Sequence, residues 1–262
     1  MTLSENRVAE LAEHLERAQL ERREVTKITG LEPEMDWDDA YAIQWAIRAR
    51  KLARGERIAG LKMGLTSRAK MRQMGVETPI YGFLVDSFGV ADGGEVRVDE
   101  LIHPKIEAEI AFVTKAPLRG PGCTVAHALA AIDFALPAIE VIDSRYENFR
   151  FDLKSVIADN ASSARFVTGG RSRPASELDL KTLGVVVEKN GEPVALGAGA
   201  AVLGHPALSL AMLANLLGER GEEIPAGSFV MTGGITEAVA VAAGDTVTAR
   251  FQDLGQVSVR FA

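Results

Sequence analysis

Apolar residues recur at helical spacing over roughly the first fifty residues of the chain. The periodicity predicts a helix over residues 3–20, and Thr2 and Glu5 have the spacing of a capping box at its start. A second cap at Asp36 predicts another helix over residues 37–52. Each helix should bury one face, and neither carries residues in a pattern typical of catalysis.

Beyond these helices the pattern changes to short runs in which apolar and polar residues alternate, as in half-buried strands. The clearest is a hairpin over residues 183–198, whose turn, Asn190-Gly191, is the dipeptide preferred in two-residue type I′ turns. Strands do not alternate regularly with helices, which favours an α+β fold with a mixed, mostly antiparallel, rolled β-sheet. We therefore expect an N-terminal helical region, 1–75, packed on a main domain, 76–262.

Three acids lie within apolar, strand-like runs. Because side chains alternate along a strand, Glu107 and Glu109 in HPKIEAEI (103–110) share one face, with Cα atoms about 6.6 Å apart. Glu140 lies in a second such run, LPAIEVI (136–142). Buried anions are costly, and three carboxylates suit a hard divalent cation such as magnesium, manganese or calcium. The alternative from spacing alone is a half-exposed strand with two solvated glutamates.

A single lysine, Lys62, interrupts the apolar run IAGLKMGL at residues 58–65. Gly60 and Gly64 beside it allow a backbone or a ligand to approach closely. The residues that follow predict a short helix over 68–74, and a lysine just before a helix N-terminus forms an anion-binding corner. The alternative is a lysine that snorkels from the end of a strand to water.

Two polar segments follow the acidic strands. The segment 143–152 combines charged and aromatic residues, which is typical of a lid or a substrate wall. The segment 158–163, ADNASS, predicts a tight polar turn in which Asp159 and Asn160 bond their own backbone.

Composition restricts the classes of partner. A formal net charge of −7 argues against nucleic acid or an anionic membrane as the main partner. No apolar run approaches the roughly eighteen residues needed to cross a bilayer. The acid-rich, amphipathic N-terminus is unlike a signal or transit peptide. The single cysteine, Cys123, fits a reducing cytoplasm.

Several stretches together resemble the hydratase/decarboxylase branch of the fumarylacetoacetate hydrolase superfamily, nearly end to end. They are GLKMGLTS at 60–67, HPKIEAEI at 103–110, PAIEVIDSRYENF at 137–149, ADNASS at 158–163, LGHP at 203–206 and GDTVTARFQDLGQVSVRF at 244–261. Within the branch, hydratases usually read Gly-Arg-Lys-Val-Gly where this chain has Gly60-Leu-Lys-Met-Gly64. They carry Asp-Phe-Gly-Thr where this chain has Ile80-Tyr-Gly-Phe83. These departures, with Arg145-Tyr-Glu-Asn-Phe149, favour a decarboxylase.

The resemblance implies a set of site residues and a reaction. It implies Glu107, Glu109 and Glu140 as ligands of Mg²⁺ (or Mn²⁺) and Lys62 as the active-site lysine. The expected reaction is decarboxylation of 2-oxohex-3-enedioate to 2-hydroxypenta-2,4-dienoate and CO₂, in the meta-cleavage catabolism of aromatic compounds. The resemblance also implies a homo-oligomer that can form a complex with the hydratase of the same pathway, and the single cysteine leads us to expect it in the cytoplasm.

Three alternative functions stay open at this point. One is a 2-hydroxypenta-2,4-dienoate hydratase with the same metal ligands. Another is an acylpyruvate hydrolase, which typically uses a Glu-His pair. None of the four histidines, His14, His103, His127 and His205, stands beside an acid in that arrangement in the sequence. The third is a binder of small keto acids that catalyses no reaction.

Overall fold

In a computed structural model of the chain, the structure describes residues 1–68, 71–72, 76–169 and 171–262. The helices in this part of the chain are α1 (Glu5–Glu21), α2 (Ile28–Leu31), α3 (Trp37–Ala53), α4 (Val125–Ala131), α5 (Leu153–Ala158) and α6 (Pro206–Gly218). The strands are β1 (Ile58–Gly64), β2 (Ile80–Val85), β3 (Gly89–Val90), β4 (Glu95–Val96), β5 (Lys105–Thr114), β6 (Ile132–Ile142), β7 (Ser163–Thr168), β8 (Arg173–Pro174), β9 (Gly184–Lys189), β10 (Glu192–Ala198), β11 (Phe229–Met231), β12 (Val239–Ala240), β13 (Thr246–Phe251) and β14 (Gly255–Phe261).

The N-terminal helices form where the periodicity predicts them, but the first cap is shifted. Ser4 is the N-cap of α1, and its side chain accepts a hydrogen bond from Arg7 N. The predicted capping box at Thr2 is therefore wrong; the Thr2 hydroxyl donates to Asp39 instead, at 2.6 Å. Asp36 caps α3 in a capping box closed by Asp39, as predicted. Asp39 thus ties the start of the chain to the start of α3, along which α1 packs.

The large sheet has nine strands in the order β2-β1-β11-β5-β6-β7-β3, with β12 beside β5 and β8 beside β6. Within the described strands of this sheet, β1 runs parallel to β11 and β3 parallel to β7, and the other neighbours are antiparallel. The predicted α+β fold with a mixed, mostly antiparallel, rolled sheet is confirmed.

The predicted division of the chain at residue 75 stays a prediction. β1 lies before that point and is nevertheless a strand of the large sheet, between β2 and β11. The helix predicted over residues 68–74 lies largely outside the described residues.

The smaller sheet has five strands in the order β10-β9-β13-β14-β4. Asn190 and Gly191, between β9 and β10, have φ angles of 56° and 84°, which confirms the predicted type I′ turn. Apolar residues of β13 and β14 face inward, and both strands pack against β6 of the large sheet. The two sheets therefore share one core.

One apolar segment is longer than the sequence reading suggested. By length and composition, Gly199–Gly218 could cross a membrane, which corrects the expectation that no run approaches that length. More than half of its most apolar stretch is buried inside the protein, as in a core helix. His205 caps α6, accepting a hydrogen bond at Nδ1 from Ala207 N (3.0 Å).

Candidate metal centre and substrate cavity

Three acids from two adjacent strands converge on one point. β5 and β6 pair in a register that sets Glu107 opposite Glu140, and Glu109 follows Glu107 on the same face of β5. One carboxylate oxygen from each acid lies within 4.8 Å of the other two. Glu109 and Glu140 are completely buried, and Glu107 is partly buried. The alternative of two solvated glutamates is therefore wrong for Glu109.

Among the described residues, the two buried carboxylates lack a full set of protein partners. Glu109 Oε2 accepts a hydrogen bond from Gly233 N at 2.7 Å, whereas Glu109 Oε1 and Glu140 Oε1 have no donor among the described residues. Burial raises the pKa of both carboxyl groups, and repulsion from Glu140 raises that of Glu109 further. Buried anionic oxygens without donors, beside a third acid, fit a hard divalent cation such as Mg²⁺ or Mn²⁺.

Lys62 lies beside this cluster as a buried cation. β1 directs its side chain into the interior, where the residue is 2% exposed, so the alternative of a snorkelling lysine is wrong. Its Nζ lies 2.9 Å from Glu140 Oε2 and donates to Ala161 O at 3.1 Å. Burial alone would lower the pKa of Lys62, but Glu140 and Glu109 raise it above its usual value. These two contacts are its partners among the described residues, which leaves one of its three N–H groups for a ligand oxygen.

A turn of left-handed residues presents the carbonyl that Lys62 contacts. Asn160, Ala161 and Ser162 have φ angles of 50°, 49° and 59°, a conformation that is costly for residues with a side chain. Asn160 braces the turn, because its Nδ2 donates to Phe83 O and its Oδ1 accepts from Phe83 N, both at 2.9 Å. The predicted self-bonded turn is therefore wrong for Asn160, which bonds β2 instead.

Arg145 and Asp159 form a buried ion pair behind this turn. The Arg145 guanidinium also donates to Asp143 O at 2.6 Å and to Ser163 O at 3.2 Å. Burial raises the pKa of Asp159 to about 6, although Arg145 opposes the shift. The Asp159 carboxylate accepts a hydrogen bond from the side chain of Arg145, a contact that the sequence did not reveal. The segment 143–152, predicted as a lid or wall, begins as buried structure that clamps the turn.

A cavity of about 260 Å³ opens beside Lys62 and Glu107. Phe149 and Phe151 line it, so the later part of the segment 143–152 does form a wall of the cavity. Other apolar side chains in its lining are Leu65, Ile80, Ile142 and Val156. Lys62 and Glu107, the partly buried member of the acid cluster, therefore face a space with largely apolar walls.

Glu24, from the connection between α1 and α2, fixes the aromatic wall. Its Oε1 accepts from Asn148 N at 2.7 Å and lies 3.1 Å from His103 Nδ1. The His103 ring packs on Phe149, with ring centroids 5.1 Å apart. An acid therefore does stand beside a histidine in the fold. The sequence could not reveal this pair, because the two residues are far apart in the chain.

Two glycines after β11 complete the cluster, and sequence reasoning assigned them no role. Gly233 N donates to Glu109, and Gly234 lies so close to Glu107 that a Cβ there would come within 2.8 Å of its carboxylate. Gly233 has a φ of 101° and packs against Thr66. Two adjacent glycines are the available signal, because glycine alone readily combines a positive φ with so close an approach.

A larger cavity, about 360 Å³, lies on the other side of β1, where Leu61 rather than Lys62 contributes to the lining. Trp45, Arg48 and Phe229 also line it. Glu107 and Lys62 line the smaller cavity and are not among the residues that line this one.

Comparison with known proteins agrees with the fold. The family model described as fumarylacetoacetate (FAA) hydrolase C-terminal matches residues 61–262. The 4-oxalocrotonate decarboxylase of Pseudomonas sp. (strain CF600) is 67% identical over 260 residues, which cover 99% of this chain and 98% of that protein. The 2-hydroxyhexa-2,4-dienoate hydratase of Comamonas testosteroni is 38% identical over 91% of both chains.

A solved structure gives the same picture in three dimensions. The 4-oxalocrotonate decarboxylase from Pseudomonas putida G7, complexed with magnesium and adipate, matches with a TM-score of 0.98 and 66% identity, covering 100% of this chain and 99% of that one. Together with the family model, these similarities identify the lineage: the chain belongs to the fumarylacetoacetate hydrolase family.

Proposed function

We propose that this chain is a divalent-metal-dependent carboxy-lyase that converts 2-oxohex-3-enedioate (4-oxalocrotonate) to 2-hydroxypenta-2,4-dienoate and CO₂. The observation that carries the proposal is the convergence of Glu107, Glu109 and Glu140 beside the buried Lys62, at a cavity with apolar walls. Relatives that share 67% and 66% identity over nearly the whole chain are 4-oxalocrotonate decarboxylases. The reaction belongs to the meta-cleavage catabolism of aromatic compounds.

Mg²⁺ is the cofactor in this proposal, with Mn²⁺ as its substitute, and the related solved structure is complexed with magnesium. Glu107, Glu109 and Glu140 would hold the ion, since two of them carry buried oxygens without donors in the described part of the chain. When bound, the cation supplies Lewis-acid polarisation of the keto oxygen.

Lys62 supports the charge that develops during the reaction. The C5–C6 bond breaks and C6 leaves as CO₂. The electron pair moves through the C3–C4 double bond onto the C2 keto oxygen, giving a dienolate that takes up one proton. The third N–H of Lys62 donates to that oxygen, and such a donor acts most strongly where charge appears. Its ammonium, 2.9 Å from Glu140 Oε2, carries donors and no acceptor, so Lys62 acts as a hydrogen-bond donor rather than as a base.

The apolar wall favours loss of CO₂ over addition of water. Leu65, Ile80 and Phe151 line the same cavity as Lys62, and apolar side chains of this kind disfavour water near the reacting chain. A hydratase, the function of the relative at 38% identity, needs a water positioned at the diene. An acylpyruvate hydrolase would use a Glu-His pair, but Glu24 and His103 lie outside the described lining of the cavity.

The deciding experiment follows both products from 2-oxohex-3-enedioate. Purified protein with Mg²⁺ should release CO₂ in step with substrate loss, and a chelator should stop the release until Mg²⁺ or Mn²⁺ is restored. Supplied with 2-hydroxypenta-2,4-dienoate, the protein should not add water at a comparable rate. Hydration without CO₂ release would instead assign the hydratase function. If neither reaction occurs, the remaining assignment is a binder of small keto acids that catalyses no reaction.

Association with other chains also forms part of the proposal. We propose that the protein is a cytoplasmic homo-oligomer. We also propose that it binds the hydratase of its pathway, because the enol product is unstable in water. Support comes from edge strand β10, where Val194 and Leu196 are 42% and 72% exposed, since exposed apolar edge strands invite pairing. Light scattering of the wild type and of Leu196→Lys tests it; a monomeric wild type would contradict the oligomer.

A further inference from the structure

We propose that Lys105 binds the second carboxylate of the substrate and thereby selects dicarboxylic over monocarboxylic keto acids. This inference rests on the proposed function and assigns a residue to the end of the substrate farthest from the acid cluster. Lys105 is the first residue of β5, and it lines the same cavity as Lys62 and Glu107.

The spacing along β5 matches the length of the substrate. Lys105, Glu107 and Glu109 occupy alternate positions and therefore share one face of the strand, with Lys105 about 6.6 Å beyond Glu107. An extended six-carbon chain has five C–C bonds of about 1.5 Å each and spans roughly 6–7 Å. A keto acid whose C1–C2 end lies at the acid cluster and whose chain follows β5 brings C6 to Lys105.

Of the basic side chains in the described lining of the cavity, Lys105 is the one available to bind the second carboxylate. Of the two basic side chains in the described lining, Lys62 is neutralised by Glu140 at 2.9 Å. Lys105 forms no ion pair with any described residue. Its Nζ lies instead 4.1 Å from the centroid of the Phe149 ring, a contact that stabilises a cation but does not neutralise it. A dianionic substrate therefore meets a positive charge there that no described residue pairs.

The ammonium of Lys105 is also held in place before a ligand arrives. Its backbone is paired on both sides, with Ile142 of β6 and with Ala240 of β12. The Phe149 ring beneath the ammonium is packed in turn against His103. Little conformational freedom is left to lose on binding, which increases the affinity that one charge can provide.

Two unreactive ligands isolate the contribution of the second carboxylate. 2-Oxohexanedioate and 2-oxohexanoate share the keto-acid end and chain length, but only the first carries a carboxylate at C6. Neither has the C3–C4 double bond, so the C5–C6 electron pair has no path to the keto oxygen. Calorimetric titration in Mg²⁺ gives the dissociation constant of each ligand.

Four proteins make the comparison: wild type, Lys105→Met, Lys105→Arg and, as a matched control, Lys115→Met. Lys115 is exposed and directly follows the other end of β5. Lys105→Met should bind 2-oxohexanedioate at least about tenfold more weakly, the value of a charge-assisted hydrogen bond, and 2-oxohexanoate about as well as wild type does. Lys105→Arg should recover part of the loss, and Lys115→Met should match wild type.

Turnover separates this role from the proposed function. Lys105→Met should raise KM for 2-oxohex-3-enedioate without lowering kcat, because the contact stabilises bound substrate rather than developing charge. Equal losses for both ligands, or no loss for either, would overturn the role of Lys105. Absence of CO₂ release by the wild type would overturn the proposed function, whatever the ratio of the two affinities.

Discussion

Both sheets of this protein contain strands in which apolar and polar residues alternate, but polar residues are exposed in one sheet and buried in the other. In the five-stranded sheet, β13 and β14 alternate apolar and polar residues, and polar ones such as Arg250 and Arg260 are exposed. In the nine-stranded sheet, β5 alternates in the same way, yet Glu109 is completely buried. The glycine loop after β11 covers the polar face of β5 and donates to Glu109. Alternation reports which side a residue faces, and the covering elements decide whether that side meets water.

Glu109→Gln should give the largest effect on the buried side of this comparison. We expect turnover to fall roughly a thousandfold or more, because a metal centre supplies several kcal/mol of stabilisation to the transition state. The fold should persist, since a neutral amide is cheaper to bury than a carboxylate. Turnover, Mg²⁺ titration and thermal unfolding check it. Metal-dependent turnover at the wild-type rate would rule out the proposed ligand set.

Lys62→Met should come next, with turnover reduced roughly a hundred- to a thousandfold, as when one donor to a developing oxyanion is removed. The variant should also be less stable without metal, by roughly 3–5 kcal/mol, because Glu140 loses its partner at 2.9 Å. Mg²⁺ should then raise its melting temperature more than that of wild type. Loss of Mg²⁺ binding with turnover preserved would contradict the role given to Lys62.

Gly234→Ala tests how tightly the glycine loop after β11 packs on the polar face of β5. The new Cβ would lie 2.8 Å from the carboxylate of Glu107, so that side chain must move. We expect Mg²⁺ affinity to drop roughly ten- to a hundredfold, as when the support of a metal ligand is disturbed. Gly30→Ala in α2 is the control, because a Cβ there meets nothing within 4 Å. Equal Mg²⁺ affinities in the two variants, measured by calorimetry, would contradict close packing of the glycine loop on Glu107.

Glu188→Gln should have the smallest effect, on the solvated side of the comparison. It removes the surface pair with Arg250, which is 2.9 Å long and whose arginine side chain is 53% exposed. We expect the free energy of unfolding to change by less than about 1 kcal/mol and turnover to stay the same. Denaturant titration and the CO₂ assay test this. A marked loss of activity would mean that the two sheets are more closely coupled than their polar faces indicate.

Much of the fold could be predicted from local signals. The caps at Asp36 and His205 and the turn at Asn190-Gly191 depend on residues within a few positions of one another, and the structure contains all three. The first cap was misplaced by two residues, because the Thr2 hydroxyl bonds Asp39 across the interface between helices. A bond between distant positions leaves no local pattern to detect.

The residues of the candidate site also differ in whether the sequence could predict them. Glu107, Glu109 and Glu140 could be chosen from the sequence because acids inside apolar strands are costly unless something compensates them. For Gly234 the sequence offered only the signal of two adjacent glycines, since its contact with Glu107 depends on a loop that returns from the far end of the chain. The sequence could not reveal that Asn160 braces β2.

From the sequence alone came the periodicities, the caps, the turn and the identity of the charged residues, because short-range sterics and hydrogen bonding govern these. Only the tertiary structure decided which charges meet. The register of β5 against β6 sets Glu107 opposite Glu140, and β1 brings Lys62 within 2.9 Å of the latter. Electrostatic energy depends on distance and on exclusion of water, and both arise from chain segments that pack together from far apart in the sequence.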